Sequence, residues 1–513
     1  MKSRFLLFSL VLVSFSTYSQ EPADALRYSW LTPQGTARSM ATGNALTALG
    51  GDITSTFTNP AGLGLFKTGE LVLTPGFGFD NNKSAYLGGT DKANKSSFMF
   101  GSTGLILPIN NDYTGRKWKN WTFGIAVNRT ADFNSRFALE GNNNQSSYSE
   151  KYLEELINNN VTDPNDAANN FPYGASLAFN TFLIDTVSGS GGTVEGYRSL
   201  ATPQTGVRQI QDITTSGGMT DLGLAISGNL GDKFYVGGAI AWSYLNFERN
   251  STYREEDATG NATNDFNYFT TEEYLKTEAR GINLKFGVIF KPVDFLRLGL
   301  SIHSPTWYDM SDSYATTIRT DLEGYAGAGE KFQSSRDFNN GQNGFFEYGL
   351  NNPWRVQFGF AYVFREDRDI TRQRGFLTAD IEYVDYRSNQ FTSPDIVNNS
   401  ASYFGDLNSV VDDIYRGTLN FRVGGEMKFN TIMARLGFAY FGNPYEDADF
   451  KVSRMNLSGG LGYRNKGKFI DLTYVHQLYQ DGYYPYRLDN GFFAPSTIKS
   501  GLGTILVTIG FKF

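Results

Sequence analysis

The sequence predicts an all-β fold: a 14-stranded antiparallel transmembrane β-barrel with an N-terminal hatch, or plug, inside its lumen. Three observations predict it. Fourteen segments of about ten residues alternate apolar and polar side chains, the pattern of a strand with one lipid face and one lumen face. The connections sort into short turns and long polar loops that follow one another in strict alternation from the fourth strand onward. Beyond the first twenty residues, no stretch of about twenty apolar residues is available for a helical span.

The elements follow in chain order. Lys2 and Arg4 make a basic start, Phe5 to Phe15 an apolar run broken only by Ser9 and Ser14, and residues 16–20 a small polar end before Glu21. That layout predicts a signal peptide over residues 1–20, cleaved near Ser19 or Gln20. The run is too short to cross about 30 Å of hydrocarbon as a helix. Residues 21–68 are rich in glycine and small side chains and do not alternate, so they read as a hatch ahead of the barrel, which takes residues 69–513.

The strand windows are 69–80, 95–108, 119–131, 217–229, 232–250, 272–291, 294–317, 352–365, 374–388, 416–429, 430–442, 453–465, 467–480 and 498–513. In the last, Ile505, Val507, Ile509, Phe511 and Phe513 share the expected lipid face. Val356, Phe358, Phe360 and Tyr362 oppose Arg355 and Gln357, and Leu377, Ile381 and Tyr383 oppose Thr378, Asp380 and Glu382. A lone charge on the lipid face would cost about 2–4 kcal/mol at the midplane, so the alternation is a physical requirement. Short joints fall at Gly231-Asp232, Lys291–Asp294, Phe429–Thr431 and Asn465–Lys468. Long stretches fall near 132–216, 251–271, 318–351, 389–415 and 481–497. Short turns belong on the periplasmic side and long loops outside. Pro75 lies within the first window, so that strand either starts after it or carries a bulge.

Composition agrees. The chain holds 56 glycines, 42 phenylalanines and 30 tyrosines but only 15 prolines, as strands and aromatic girdles require. A sandwich array or propeller would show regular repeats, and the sequence has none. Mean hydropathy is −0.34, the average expected when half of each strand faces a polar lumen and long polar loops are added. Net charge is −7, and −9 once residues 1–20 are removed, which disfavours nucleic acid as a partner. There is no cysteine and there are two histidines, His303 toward the lumen and His476 outward beside Tyr474. No disulfide framework, metal site, haem site or other cofactor is expected. Nothing marks a Ser–His pair for hydrolysis, so no catalytic residue is assigned and the chain is not read as an enzyme.

The segment Asn59-Pro60-Ala61-Gly62-Leu63 follows a glycine- and alanine-rich stretch and the run Ala48-Leu49-Gly50-Gly51-Asp52, shortly before the first strand. It resembles the hatch motif of the long-chain fatty acid transporter (FadL-like, OMPP1/FadL/TodX) outer-membrane family. From Asp24 onward the wording is similar to the Bacteroidota-type branch. The likeness is specific over residues 24–75 and looser at Ser304–Tyr308 and Asn352–Arg355. Phe513 resembles the terminal residue by which barrel-assembly machinery reads a last strand. The family implies a Gram-negative outer-membrane barrel in contact with outer-membrane lipid. Loops capture a hydrophobic small molecule such as a long-chain fatty acid, which leaves sideways at a kinked strand or past the hatch. Carried over by the motif, Asn59, Pro60, Ala61 and Gly62 become the hatch and ligand-gating residues, expected near the pocket. The third strand, from Trp121 to Arg129 with Gly124 as its only glycine, is the candidate for the kink.

The longest loop follows the third strand, earlier than in familiar members, so no loop residue carries over. Its apolar run Phe171–Ile184, with Phe171, Phe179 and Phe182, reads either as a hydrophobic capture surface or as the loop's own core, the core being favoured. Residues 149–158 read as a capped short helix. The lumen charges Arg355, Asp380, Glu382, Arg422, Arg435 and Asp471 either steer a carboxylate or pair with one another and the plug, the second being favoured. Passive uptake of hydrophobic small molecules is the leading function. The alternative is a barrel serving as partner or scaffold of an outer-membrane secretion or assembly machine, with loops that bind proteins.

Overall fold

In the computed structural model the described residues are 21–110, 117–189, 194–325, 327, 329–364, 374–393, 400–447 and 452–513; the expected signal peptide lies outside them. Fourteen antiparallel staves close into a barrel. They are β1 (Glu70–Leu73 and Pro75–Tyr86), β2 (Gly89–Phe100 and Thr103–Asn110), β3 (Trp118–Asp132 and Ser135–Asn143), β4 (Val207–Leu230), β5 (Phe234–Asp257), β6 (Tyr268–Val293) and β7 (Leu296–His303 and Trp307–Asp321). The rest are β8 (Gly344–Asn351 and Arg355–Phe364), β9 (Gly375–Asp385 and Gln390–Thr392), β10 (Gly417–Phe429), β11 (Ile432–Phe441), β12 (Arg454–Asn465), β13 (Lys468–Tyr483) and β14 (Ser496–Lys512).

Closure joins β14 to β1 in one register, from Glu70 opposite Lys512 to Ala85 opposite Thr497. Lys512 Nζ lies 3.2 Å from Glu70 at that seam. The outward rows are those the alternation picks: Val356, Phe358, Phe360, Leu377, Ile381, Ile505 and Ile509 are exposed, while Gln357, Thr378, Asp380, Glu382 and Thr508 are buried. All fourteen windows coincide with staves.

The staves run further at the long-loop end than alternation alone indicates. The segment read as loop 132–216 contains the end of β3 and the start of β4, leaving a loop of 144–206. Above the apolar belt both faces of a strand are polar, so the period-2 signal vanishes while the ladder continues: Gln209 and Gln211 point in, Arg208 and Asp212 out. β1 and β2 likewise continue to a tight turn at Leu87 and Gly88, both at positive φ, the hairpin geometry that matches strand twist. Pro75 is accommodated by its neighbour. Between the Val72–Gly104 and Gly76–Met99 pairs β2 carries one more residue than β1, a bulge at Gly101–Ser102.

The long loops fold over the mouth. In the loop after β3, α3 (Glu150–Asn158), α4 (Pro164–Asn169) and α5 (Ala175–Asn180) pack on a two-stranded ribbon, Ile184–Ser188 with Val194–Ser199. α3 occupies the expected residues, but Ser149 does not cap it; its hydroxyl engages Ser147 at 2.7 Å and Ser199 at 2.6 Å instead. The stretch 389–415, expected as loop, holds the end of β9 and α6 (Ser400–Ile414). α6 buries Phe404, Leu407 and Val411 in a core shared with the barrel lumen.

Candidate functional site

Ahead of β1 the chain lies inside the barrel. It forms two short helices, Pro22–Arg27 and Ala37–Ala41, and two 3₁₀ turns, Ile53–Thr56 and Pro60–Leu65. What lets backbone lie on backbone is a girdle of inward glycines. A Cβ at Gly237 would collide with Ala61 N, at Gly287 with Asn59 Oδ1, at Gly299 with Thr47 O, at Gly424 with Thr42 O and at Gly437 with Gly43 N.

Polar side chains of the wall satisfy the hatch carbonyls, since an unpaired buried carbonyl is costly. Ser227 Oγ donates to Ala61 O (3.1 Å), Thr378 Oγ1 to Ala45 O (2.9 Å), Thr473 Oγ1 to Ala37 O (2.6 Å), and Arg297 to Leu49 O (2.7 Å). Ser301 Oγ and His303 Nε2 converge on Thr58 O, each at 2.8 Å, and lie 3.1 Å apart. The sequence marks no such Ser–His pair; buried under the hatch, it serves one carbonyl.

Asn59, Pro60, Ala61 and Gly62 sit at the junction of hatch and wall, all buried. Asn59 Oδ1 accepts Ala61 N at 3.1 Å and so caps the 3₁₀ turn, with Pro60 at its first position. Its Nδ2 donates to Thr47 O at 2.6 Å and reaches Val288 O at 3.3 Å and Leu300 O at 3.4 Å. Gly62 presses on Gly50, which has φ +59, and its carbonyl accepts Gly51 N at 3.0 Å. One asparagine thus ties two hatch turns to β6 and β7.

The lumen charges pair as expected. Arg422 and Arg355 lie 2.6 and 3.5 Å from Glu382; Arg435 lies 2.6 Å from Asp471 and 2.7 Å from Glu426. Asp380 accepts the hatch amide of Thr47 at 2.9 Å.

The wall has one discontinuity beside the hatch. β3 pairs with β2 only from Asn120 to Val127, and its register to β4 slips between Arg129 and Ala131. Thr130 and Ala131 are both buried, so the stave turns inward there, not at Gly124, which sits in regular pairing with Ile106 and Ala225. No ladder joins Gly89–Phe100 of β2 to Ser135–Asn143 of β3. The hatch takes β2's place instead: Thr32 N donates to Thr130 O (3.1 Å), Gln34 N to Arg129 O (2.8 Å), and Ser102 N of β2 to Gly35 O (3.2 Å). Higher up only side chains cross the gap, Ser97 to Asp132 (3.1 Å), Lys95 to Thr215 O (2.6 Å) and Asn82 to Arg136 O (2.8 Å).

Inside this gap stands an aromatic cluster. Phe133 meets Tyr28 of the hatch and Phe247 of β5 edge-on, with centroids 6.0 and 5.4 Å away. They join a core containing Trp30, Met219, Tyr308, Met310 and Tyr348. On the lipid side of the same gap Phe98 and Phe100 are 59% and 48% exposed. Phe133 thus stands on the lumen side of the gap, and Phe98 and Phe100 on its lipid side.

At the loop end, Phe171 and Phe179 pack on a core that the loop shares with Tyr253 of β5, Phe269 of β6, Ile318 of β7 and Tyr486, while Phe182 is 40% exposed and held at φ +59.

Solved structures share this fold over most of the chain. A FadL homologue from Pseudomonas aeruginosa matches at 15% identity over 94% of this chain and 99% of that one, with a TM-score of 0.56. A deltaS2 mutant of the TodX monoaromatic hydrocarbon channel matches at 13% identity over 93% and 98%, with a TM-score of 0.50. No protein-family model and no curated protein matches the sequence.

Proposed function

We propose that this chain is an outer-membrane channel for passive uptake of hydrophobic small molecules, of the FadL/TodX kind. A ligand with one polar end and a long apolar part, a long-chain fatty acid for instance, is caught at the loop end, held in the aromatic cluster around Tyr28, Phe133 and Phe247, and passed out between β2 and β3. The carrying observation is the exchange of partners on β3: where β2 leaves, residues Thr32 to Gly35 of the hatch take over the edge. Those few backbone bonds are each worth about 1 kcal/mol net, whereas the uninterrupted ladders elsewhere in the wall hold many more. The weak place in the wall is the one that faces the apolar cluster. The hatch motif at Asn59–Gly62 anchors the opposite end of the hatch, so the Thr32–Gly35 segment can part while the rest stays.

The chain has no cysteine, so a Thr32→Cys/Thr130→Cys pair gives an unambiguous test in cells taking up labelled fatty acids and hydrocarbons. Uptake stops when the pair is oxidised and returns on reduction. Equal uptake with the cross-link closed and open overturns the lateral route. If deletion of the gene leaves every uptake rate unchanged while secretion or barrel assembly fails, the protein is a machine subunit.

A further inference from the structure

On the side of the barrel away from the Thr32–Gly35 segment, the lipid-facing wall from β8 to β14 carries a groove of about 1490 Å³. Its floor is a hydrogen-bonded row of outward residues, Leu377 opposite Gly425, Gly425 opposite Leu436, Leu436 opposite Gly459 and Gly459 opposite Tyr474. Two of the five positions have no side chain. Neither glycine is required by its backbone conformation, since both lie outside the positive-φ region. A Cβ at Gly459 would meet nothing closer than Leu436 Cδ2 at 3.4 Å, and one at Gly425 would meet the movable end of Leu377 at 2.9 Å and the Phe376 carbonyl oxygen at 3.2 Å. Their inward neighbours differ: Gly424 and Gly437 are pressed by hatch backbone.

Leu436, between the two vacancies, is 74% exposed. With strands about 4.8 Å apart, each vacancy makes a slot roughly two strand spacings wide. Such slots admit a single acyl chain. A second barrel would be held off by the Leu436 ridge, because two strand walls need a broad complementary face. The groove opens at the short-turn end among Tyr362, Phe364 and Phe429, aromatics of the kind that mark the membrane interface, and exposed Arg374 lines it there. A cation at that level meets a phosphate headgroup.

We infer that this groove is a binding site for one phospholipid of the leaflet on the short-turn side, with an acyl chain in the Gly425 and Gly459 slots and the phosphate at Arg374. The lipid sits outside the wall, directly over the hatch helix Ala37–Ala41, whose Ala41 faces Gly460 from within.

The test is lipid retained by barrels purified in mild detergent from vesicles of phosphatidylethanolamine and phosphatidylglycerol, read by phosphorus analysis and native mass spectrometry. Wild type is expected to keep about one phospholipid per barrel. Gly425→Leu/Gly459→Leu fills both slots and should lower retention about tenfold, and Arg374→Gln should abolish the preference for the anionic lipid. Gly238→Leu, an outward glycine on β5, should change nothing. Retention of sodium dodecyl sulfate-resistant, heat-modifiable migration shows that each variant is folded. Undiminished lipid on the folded double variant, an equal loss in Gly238→Leu, or a dimer that the double variant disrupts overturns the inference.

Discussion

The backbone amide of Gln34 donates to the carbonyl of Arg129 at 2.8 Å, so an irregular segment of the hatch bonds to the barrel wall where the wall's own neighbour has left. The bond lies within the hatch's own repertoire of short contacts and outside the closed ladder. Gln34→Pro removes the N–H and nothing else of the backbone path. About 1 kcal/mol of local stability is lost, and uptake of a hydrophobic substrate, or sensitivity to a hydrophobic antibiotic, should rise several-fold with barrel stability unchanged. Unaltered permeability would show that the gap is not the exit.

Asn59→Ala should loosen the hatch and spare the barrel. The side chain makes one acceptor and three donor contacts, and two of the four partners, Thr47 and Ala61, are buried residues of the hatch. Leaving Thr47 O without its 2.6 Å donor costs about 1–3 kcal/mol by itself. The N-terminal segment should become open to protease from the short-turn side while the folded barrel still resists heat in detergent. Asn59→Asp should also loosen the hatch, because a carboxylate keeps the cap on Ala61 N but cannot donate to Thr47 O.

The glycine girdle sorts by face. Gly287→Ala and Gly299→Ala place a methyl on Asn59 and on Thr47 O and should displace the hatch, giving ion leakage in planar bilayers. Gly238→Ala meets nothing closer than Phe286 ring atoms at 3.5 Å and should be silent. Similar leakage from all three would mean that the girdle does not seat the hatch.

The staves were readable because lipid on one side and water on the other impose a period of two, as along Val356, Phe358 and Phe360. The pairing of Arg422 with Glu382 also followed from alternation, since inward charges in a plugged lumen have each other as partners. The seam was not readable at its true place. Gly124 was the visible irregularity in the third strand, yet the bend falls at Thr130 and Ala131, because its cause is a partner ninety-odd residues upstream, Thr32 to Gln34, with no local signature. α6 was missed for a related reason: its apolar residues are spaced to meet Tyr28 and Phe247 of the lumen core, a surface that exists only after closure.

The buried Arg435 bridges Asp471 at 2.6 Å and Glu426 at 2.7 Å, and Glu426 also faces Arg38 of the hatch at 3.6 Å. Arg435→Met takes the nearest cation from two carboxylates, leaving Glu426 with Arg38 at 3.6 Å and Asp471 with Arg464 at 3.9 Å, and should cost about 3 kcal/mol, read as a lower unfolding midpoint in urea. Arg435→Met/Asp471→Leu should recover part of the loss. No recovery would mean that Glu426 alone carries the penalty.

Phe182 separates the two readings of the apolar loop run. Phe171 and Phe179 pack on the shared core, so Phe179→Ser should loosen the loop, seen as faster proteolysis between 144 and 206. Phe182 is 40% exposed and sits at φ +59, a left-handed conformation that costs a non-glycine residue about 1–2 kcal/mol. Phe182→Asn tolerates that φ and should leave proteolysis unchanged or slower. If the ring catches ligand, the same substitution lowers initial uptake at limiting substrate several-fold and leaves the saturated rate alone. A loop that is both intact and equally fast at limiting substrate would assign Phe182 to folding and remove it from capture.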